Sequence, residues 1–464
     1  MQKKISHALV LGGGLAGLLS AIVLADRAES VTVVERDKFP DSQAHRKGVP
    51  HSKHTHGLVS GGARALDELL PGATDSLFNA GAQRIGIPDR YLALGPHGWF
   101  PRYRDTEFVI GCSRSLLDWT VLSRLRAANN VRYIEAADVV ELTGDSTRVT
   151  GARIKSRATG EYTTIAADFV VDATGRNSAA PEWLTKLGLP AVEEVCIDHT
   201  IFYATRIYRA PAGAGVDFPA VNIQANPTLA RVRGSGMLIP IEDNQWSVTL
   251  SGAEGGHPPI DDQGFRDFAA DLPHPVIAEL IAAAEPLGAA FGFGAPANRR
   301  RYFEKLSSWP NGFAVLGDAN TVFNPVYGHG MGVIAQAALA LRDGLQAHGP
   351  SGAKLIQRGI AKTAQDAWTI ATNEDLRYPQ TVGPRPGRAG QLGYRFQDWL
   401  GRASANNRVV AAAQMEVITL AAPPTVLLKP KVLLEAWRTR IEAPLTSPPF
   451  TPDEQRIVVD SASR

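Results

Sequence analysis

The chain has 464 residues, of which 44% are hydrophobic and 20% are charged, a composition typical of a globular protein with two or three domains. Lys and Arg number 48 against 46 Asp and Glu, so the overall charge gives no reason to expect nucleic acid or an anionic membrane as a partner. Two cysteines are too few for a disulfide framework, and no stretch approaches about 18 uninterrupted apolar residues. We therefore expect a cytoplasmic protein without a membrane span.

Residues 7–36 carry the pattern of a strand, a glycine turn, a helix and a second strand. The turn, Gly12-Gly13-Gly14-Leu15-Ala16-Gly17, fits G-x-G-x-x-G. In this motif the first glycine permits a tight bend, the second lets backbone approach a pyrophosphate, and the third lets helix and strand pack closely. Glu35, at the end of the second strand, is placed to accept hydrogen bonds from an adenosine ribose. These residues predict a dinucleotide site.

The rest of the chain divides into a mixed region, an antiparallel region and a helical region. The predicted helices cover 62–70, 114–128 and 330–346, and the predicted strands of the mixed region cover 131–134, 139–142, 149–156, 169–171 and 313–316. Alternating apolar residues between 199 and 252 predict an antiparallel sheet with strands at 202–208, 220–224, 237–241 and 246–250. The remainder to about residue 440 is predicted to be mostly helical, and the tail from Pro444 to be loose.

A second glycine-rich junction follows the strand at 313–316. It consists of Gly317-Asp318-Ala319 and the segment from Phe323 to Met331. An Asp after a buried strand can hold a ribityl hydroxyl, and Gly328 and Gly330 open a helix whose N–H groups can reach the pyrimidine edge of a flavin. A nicotinamide dehydrogenase would usually have one continuous α/β domain, whereas here an antiparallel sheet separates the two junctions. The cofactor that fits this arrangement is FAD.

Several motifs together resemble the flavoprotein monooxygenases of the para-hydroxybenzoate hydroxylase fold. The shared segments are Gly12 to Gly17 with Glu35, Ser113-Arg114, Asp172-Ala173-Thr174-Gly175-Arg176, and Gly317-Asp318 through Gly330. The resemblance is closer to one branch, the actinobacterial polyether epoxidases such as those for monensin and lasalocid. That closer similarity is carried by His45 to Pro50, His54-Thr55-His56, Glu68 to Gly72, Ser113 to Asp118, and Phe323 to Met331.

The resemblance implies an FAD site built from both glycine-rich junctions and from segments between them. Its implied residues are Gly12, Gly14, Leu15, Ala16, Gly17, Glu35, Arg36, Arg46, Arg114, Val139, Gly317, Asp318, Pro325, Gly328, Gly330 and Met331. Arg46 is expected beside the isoalloxazine ring. The flavin would be reduced by NAD(P)H, directly or through a separate flavin reductase. The chain has Ala173-Thr174-Gly175 where many aromatic hydroxylases have an Asp-Gly motif for FAD and NADPH, which weakens the case for direct NADPH binding.

The implied fold is α/β, with a Rossmann-like FAD-binding βαβ domain interleaved with an antiparallel-sheet substrate domain and followed by a C-terminal helical region. The expected FAD-binding domain covers 1–75, 105–190 and 296–346, the substrate domain 76–104 and 191–295, and the C-terminal region with its tail 347–464. Candidates for the substrate pocket, each of which also fits plain sheet core, are Phe202, Tyr203, Phe218, Ile223, Met237 and Trp246.

The resemblance also implies an activity, in which one oxygen atom of O₂ is transferred to a hydrophobic natural product of polyketide or polyether type. The implied reaction is epoxidation of alkenes through a flavin C4a-hydroperoxide, so no catalytic side chain is assigned. An aromatic hydroxylase of the same fold is the main alternative. A flavin-dependent halogenase and an FAD-dependent reductase are further alternatives, although the W-x-W-x-I-P segment of halogenases is absent.

Two polar clusters are candidates for a metal site and for a phosphate-binding patch. His45, His51, His54 and His56 lie close together in the sequence, but no Cys or carboxylate cluster accompanies them, so we expect no metal. Arg299-Arg300-Arg301 is interpreted as a solvated surface or a carboxylate-paired turn rather than a phosphate-binding patch.

Overall fold

The computed structural model describes residues 5–226, 234–253, 255–294 and 297–462. Its strands in chain order are β1 Ile5–Leu11, β2 Ala28–Val34, β3 Gly57–Val59, β4 Gln83–Ile87, β5 Tyr91–Gly95, β6 Gly98–Trp99, β7 Glu107–Gly111, β8 Val131–Ile134, β9 Ala137–Gly144, β10 Val149–Ser156, β11 Tyr162–Ala166, β12 Phe169–Asp172, β13 Glu194–Ile197, β14 Phe202–Arg209, β15 Ala220–Ile223, β16 Ser235–Ile241, β17 Gln245–Gly252, β18 Glu285–Pro286, β19 Phe291–Gly294, β20 Asn298–Arg301, β21 Phe313–Val315 and β22 Thr321–Val322. Its helices are α1 Leu15–Ala25, α2 Ser60–Leu69, α3 Ala73–Asn79, α4 Arg114–Arg126, α5 Ala180–Lys186, α6 Asp262–Ala270, α7 Val276–Ala282, α8 Gly330–His348, α9 Ala353–Thr363, α10 Gln365–Asp375, α11 Arg388–Ser404, α12 Arg408–Ile418, α13 Pro430–Arg438 and α14 Pro452–Ala462.

A five-stranded parallel sheet forms the centre of the half that contains the first glycine-rich turn, in the order β21-β12-β1-β2-β8. Its strands are short apolar runs whose side chains are buried because helix α1 and the three-stranded sheet of β9, β10 and β11 both pack against the parallel sheet. Leu9 and Val10 of β1 and Val170 of β12 have no exposed surface. Helix α1 is itself buried along almost its whole length, and α8 packs against it. The predicted α/β class with its βαβ start is confirmed.

An eight-stranded sheet forms the second layer, in the order β18-β14-β17-β16-β15-β5-β6, with β19 pairing to β14. Its pairs are antiparallel except β15 with β5, which is parallel. Strand residues alternate between two faces, so the even-numbered Trp246, Val248 and Leu250 of β17 pack in a core with α6 and α7. The odd-numbered residues face the opposite side, where Thr249 lines a large cavity.

This alternation corrects part of the predicted substrate pocket. Phe218, Ile223 and Trp246 all belong to the core on the helix-covered face, and the rings of Phe218 and Trp246 lie 5.1 Å apart. None of the three lines the cavity; Ile223 and Trp246 lie at strand positions that face the helices, and Phe218 precedes β15 and packs on Trp246. Apolar alternation predicted the strands correctly, but both faces of this sheet carry apolar residues, so the pattern could not tell one face from the other.

The arginine triplet is not a turn or a solvated surface. Arg299, Arg300 and Arg301 lie in strand β20, and the side chains of Arg300 and Arg301 are buried. Carboxylates do compensate them: Arg301 Nε donates to Glu194 at 2.9 Å, and Arg300 Nη2 donates to Glu304 at 2.9 Å. The pairing with acids was therefore predicted correctly, and the burial was not.

The C-terminal region adds a helical layer with its own core. Helices α11, α12 and α13 bury Leu400, Val410 and Val432 among other side chains. The tail is not loose, because α14 packs on α7 with Val458 buried, and Glu454 accepts a hydrogen bond from Arg102 at 2.6 Å. No helix among the described residues is long and apolar enough to cross a membrane.

Candidate active site

The two glycine-rich junctions line the same cavity, although they lie at opposite ends of the nucleotide-binding half of the sequence. The cavity has a volume of about 1970 Å³, which exceeds the roughly 300–1,000 Å³ of a site for one small ligand. Gly12 and Gly14 line one part of the wall, and Gly328 and Gly330 another. The junctions also touch directly, since a Cβ added to Gly317 would lie 2.7 Å from the Cβ of Ala16. The cavity therefore has room for a dinucleotide and a second molecule.

The first turn is shaped by two glycines that leave no room for a side chain. Gly12 has φ +98°, and a Cβ there would lie 2.4 Å from the carbonyl oxygen of Ala173. A Cβ on Gly17 would lie 1.8 Å from the carbonyl oxygen of Gly12. Gly14, in contrast, has nothing within 4 Å of its added Cβ and faces the cavity. No side chain caps the start of α1, so its N–H groups remain available for an anion.

Glu35 and Arg46 lie beside this turn and stabilise it. Glu35 accepts hydrogen bonds from the backbone N–H of Gly13 at 2.6 Å and of Asp37 at 3.0 Å, and it also lines the cavity. Arg46 Nη2 donates to the carbonyl oxygen of Gly13 at 2.8 Å, and its Nη1 lies 3.6 Å from Glu35. The expected place of Arg46 beside the flavin ring is therefore wrong: its buried guanidinium holds the glycine turn at the adenosine end.

Asp318 presents a carboxylate to the cavity between the two ends. This carboxylate forms no hydrogen bond or ion pair with another described residue. Burial raises its pKa. The nearby positive charges of Arg114, Arg176 and Arg299 oppose that shift. A half-buried carboxylate on the cavity wall that accepts no hydrogen bond from the described residues is suited to accept hydrogen bonds from the hydroxyls of a bound molecule.

A buried side-chain network fixes the second glycine-rich turn, here called the ring loop and comprising residues 324–330. The carboxylate of Asp375, at the end of α10, accepts hydrogen bonds from Asn298 at 2.5 Å, Asn324 at 3.1 Å and Tyr327 at 2.6 Å. Asn324 in turn accepts a hydrogen bond from the Tyr203 hydroxyl at 2.7 Å. Burial raises the pKa of Asp375, and these hydrogen bonds oppose the shift. The network thus joins the ring loop to β14, β20 and α10.

The free space at the ring loop fits a flavin. Added Cβ atoms on Gly175, Gly328 and Gly330 would meet nothing within 4 Å, and Gly328 has φ +68°. Helix α8 begins at Gly330 without a side-chain cap, so its first N–H groups are available to a bound acceptor. Together with the Asp318 carboxylate and the N–H groups at the start of α1, these groups fit the ring, the ribityl hydroxyls and the pyrophosphate of FAD.

Comparison with known proteins agrees with this geometry. Residues 8–180 match the family described as FAD dependent oxidoreductase. The chain is 33% identical over 417 residues to Protein Rv3254 of Mycobacterium tuberculosis, covering 86% of each chain. The chain belongs to the FAD-dependent oxidoreductase family. FAD is therefore its cofactor.

Two further similarities describe how far this likeness extends. The oxidoreductase is 29% identical over 177 residues to a kynurenine 3-monooxygenase of Salinispora arenicola, covering 38% of this chain and 37% of that one. Its fold matches that of the flavin-dependent brominase Bmp2 with a TM-score of 0.63 at 16% identity, covering 93% of this chain and 100% of that one. The second likeness concerns the fold alone. The similarity therefore extends to a kynurenine 3-monooxygenase over about a third of the chain, and a flavin-dependent brominase shares the fold.

The residues predicted for FAD fall into two groups in the oxidoreductase. The cavity is lined by Gly12, Gly14, Leu15, Ala16, Glu35, Arg36, Arg114, Val139, Asp318, Pro325, Gly328, Gly330 and Met331. Gly17, Arg46 and Gly317 lie behind this wall, where they support the turns by close packing or hydrogen bonding. Among the substrate candidates, Tyr203 and Met237 line the cavity, whereas Phe202 stacks on His257 with ring centroids 3.6 Å apart.

A chain of hydroxyl groups starts at His54 on the cavity wall of the oxidoreductase. His54 Nδ1 lies 2.7 Å from Thr205 Oγ1, which lies 2.6 Å from Thr249 Oγ1. Thr249 donates to Thr55 at 2.7 Å, and Thr55 lies 2.7 Å from Ser247. A hydroxyl has one proton, so Thr249 must accept from Thr205, and Thr205 must accept from His54. The proton of neutral His54 is thereby assigned to Nδ1.

With its proton on Nδ1, a neutral His54 keeps a lone pair on Nε2, so Nε2 is a hydrogen-bond acceptor. Burial lowers the pKa of His54 to about 4, so the ring carries no charge at neutral pH. Nε2 forms no hydrogen bond within the described parts of the chain, and the ring lies between Phe293 and Tyr203, which also line the cavity. Burial lowers the pKa values of His51 and His56 to about 3. In the described segments, no three His, Cys, Asp or Glu side chains group to hold a metal.

Sequence reasoning missed the side chains that fix the ring loop and the helices that close the cavity. Asp375, Asn298 and Asn324 are isolated in the sequence, and no local pattern connects them. The C-terminal helices supply Leu400, Met415 and other wall residues. The His329 ring also holds the ring loop in place. Its Nε2 donates to the carbonyl oxygen of Ile418 at 3.0 Å, which connects the ring loop to α12.

Proposed function

We propose that the protein is an FAD-dependent monooxygenase that epoxidises an alkene of a hydrophobic small molecule. The observation that carries this proposal is that the cavity lined by the ring loop is also lined by apolar side chains of β16 and of the C-terminal helices, and we call this part of the cavity the chamber. Met237 and Ile239 of β16 and Leu400 and Met415 of the C-terminal helices contribute to it. Such a chamber binds an apolar molecule and excludes water next to the flavin.

The residues of the chain contribute binding, orientation and exclusion of water. When bound, FAD supplies an oxygen atom activated from O₂, which is the demanding part of the chemistry. The Asp375 network holds the ring loop, and the start of α8 offers N–H donors at that loop. The apolar walls hold an alkene in place, and alkene epoxidation requires little more than such positioning. NAD(P)H would reduce the flavin, directly or through a separate reductase.

One observation favours a second candidate, hydroxylation of a phenol. Ring hydroxylation benefits from a base that removes the phenol proton, whereas epoxidation of an alkene does not. His54 Nε2 is such an acceptor on the cavity wall, and the hydroxyl chain behind it fixes the tautomer. The two reactions differ, therefore, in whether they require His54.

Product analysis under ¹⁸O₂ tests the oxygen transfer. The FAD-loaded protein is reduced and mixed with ¹⁸O₂ and a set of hydrophobic alkenes and phenols, and the products are analysed by mass spectrometry. A monooxygenase incorporates one labelled atom per product molecule. Label confined to hydrogen peroxide and water, with every compound recovered unchanged, would count against the proposal, and halide incorporation in the presence of bromide would indicate a halogenase.

Variants of His54 separate the two reactions. His54→Gln removes the base, whereas Thr205→Val breaks the hydroxyl chain but keeps the imidazole. If the reaction is epoxidation, both variants retain the rate with alkenes to within a few-fold. If it is phenol hydroxylation, His54→Gln lowers the rate by about 10²-fold or more, within the range for loss of a general base. Flavin content measured at 450 nm on each variant confirms that the cofactor site is intact.

A further inference from the structure

Helix α13 presents an apolar face to solvent on the opposite side from its buried residues. Val432 and Ala436 pack inward. Trp437 is 76% exposed and Leu434 is 44% exposed. Leu434 and Trp437 are three residues apart, so they lie next to each other on one side of the helix. Beyond the two ends of the helix, Leu428 is 57% exposed and Ile441 50% exposed. We call Leu428, Leu434, Trp437 and Ile441 the α13 surface.

Four cations and one exposed acid, Glu442, lie within the α13 surface segment or directly beside it in the sequence, so the local charge is positive. Lys431 and Arg438 share the exposed side of the helix with Leu434 and Trp437, since residues spaced by three, four and seven fall on one face. Lys429 and Arg440 flank the two ends, and all four cations are exposed. None of them forms an ion pair with another described residue. The helix's one acid, Glu435, is at the edge and accepts a hydrogen bond from Asn407.

We propose that the α13 surface docks on a lipid bilayer that contains anionic lipids. A tryptophan and leucines flanked by lysines and arginines match the two layers of a bilayer surface, since apolar side chains enter the boundary region and cations contact phosphates. A balanced overall charge does not oppose this, because the attraction acts over about 10 Å and depends on local charge. A second copy of the chain would meet the same four cations and be repelled.

The α13 surface is adjacent to residues that line the cavity. Leu427 lines the cavity, and the adjacent Leu428 is part of the α13 surface. Both lie in the short helical turn Pro424–Leu428 that precedes α13. Docking would therefore bring this wall of the cavity close to the bilayer. An apolar molecule dissolved in the bilayer would then be near the chamber.

Vesicle sedimentation tests the docking with the FAD-loaded protein. Vesicles of phosphatidylcholine alone are compared with vesicles that also contain phosphatidylglycerol, at low and high salt. We expect sedimentation with the anionic vesicles that decreases with salt and is at least tenfold weaker with phosphatidylcholine alone. Trp437→Ser, and the double variant Lys431→Glu with Arg438→Glu, should each reduce binding at least tenfold at unchanged flavin content.

Two control variants test whether a loss of vesicle binding is specific to the α13 surface. Tyr162→Ser removes an exposed aromatic ring far from α13 in the sequence, on β11, and Lys186→Glu reverses an exposed charge on α5. Both controls should bind like the parent protein. Failure of the parent protein to sediment with anionic vesicles would overturn the proposal, as would equal loss in the controls. A dimer in light scattering that Trp437→Ser converts to monomer would instead identify the surface as a contact between copies.

Discussion

The two glycine-rich turns of the cofactor site are held in place in different ways. The turn at Gly12–Gly17 is fixed mainly by its own backbone and by the strands on either side, with Glu35 and Arg46 bound to the Gly13 peptide. The ring loop at 324–330 is fixed by its own Asn324 and Tyr327, which both donate to the Asp375 carboxylate of α10. Asn298 of β20 also donates to Asp375, and Tyr203 of β14 donates to Asn324. A turn of the first kind is encoded locally, whereas a turn of the second kind depends on the complete fold.

The largest expected effects distinguish two glycines within the first turn. Gly17→Val places a side chain on the Gly12 carbonyl oxygen, so we expect loss of the folded, flavin-containing protein. A Cβ on Gly14 meets no protein atom within 4 Å and points into the cavity, so Gly14→Val should abolish FAD retention while the apoprotein loses no more than about 1 kcal/mol of unfolding free energy. Flavin absorbance and thermal unfolding measure both. A fully flavin-loaded Gly14→Val protein would show that the pyrophosphate lies elsewhere.

Removal of the Asp375 carboxylate should disturb the second turn next most strongly. Asp375→Ala leaves the buried donors of Asn298, Asn324 and Tyr327 without their acceptor, at a cost of about 1–3 kcal/mol each. We expect FAD affinity to fall by about 10- to 100-fold, measured by fluorescence titration of the apoprotein. Asp366→Ala, at the other end of α10, is the matched control and should leave FAD affinity unchanged. Equal affinities in both variants would mean that the ring loop does not depend on this network.

Asp318→Ala should have a smaller effect that is confined to the cofactor. Because the carboxylate has no hydrogen-bond partner in the described chain, its removal should not destabilise the apoprotein. Loss of one hydrogen-bonding carboxylate should weaken FAD binding by about tenfold. Titration of the apoprotein with FAD and its thermal midpoint give the two values. A lower midpoint in the apoprotein together with unchanged FAD affinity would assign Asp318 to the fold instead of the cofactor.

The smallest expected effect is a pH dependence of stability that originates in the histidines of the cavity wall, which include His51 and His54 as well as His56 and His329. Burial lowers the pKa values of His56 to about 3 and of His329 to about 4, below the 6.5 of the unfolded chain. The unfolded chain therefore takes up more protons below pH 6.5, so stability is full above pH 6.5 and is lost as pH falls toward 4. We expect the thermal midpoint of the apoprotein to fall by about 2–4 °C from pH 7.5 to 5.5. His56→Leu should reduce this dependence; an unchanged slope would contradict the assignment.

The sequence by itself determined the parts of the protein that depend on neighbours along the chain. The first turn, the strands at 131–134 and 149–156, and the helices at 114–128 and 330–346 all follow from local spacing, and the structure has them as β8, β10, α4 and α8. A turn that has no room for side chains requires glycine at fixed positions, and a buried strand requires a short run of apolar residues. Both patterns can be recognised within a few consecutive residues. The family resemblance that those patterns carried led to FAD, which the comparisons support.

Only the tertiary structure decided which face of the antiparallel sheet meets the cavity and what holds the ring loop. Trp246 and Met237 are both apolar strand residues, yet one packs against helices and the other lines the chamber. Arg46 was expected at the flavin ring and lies at the adenosine end. Asp375, Asn298 and Tyr203 meet from distant positions because the whole fold is assembled. Whether a side chain is buried, and which residues it contacts, depends on what packs against it in the folded protein. The spacing of residues along the chain does not contain that information.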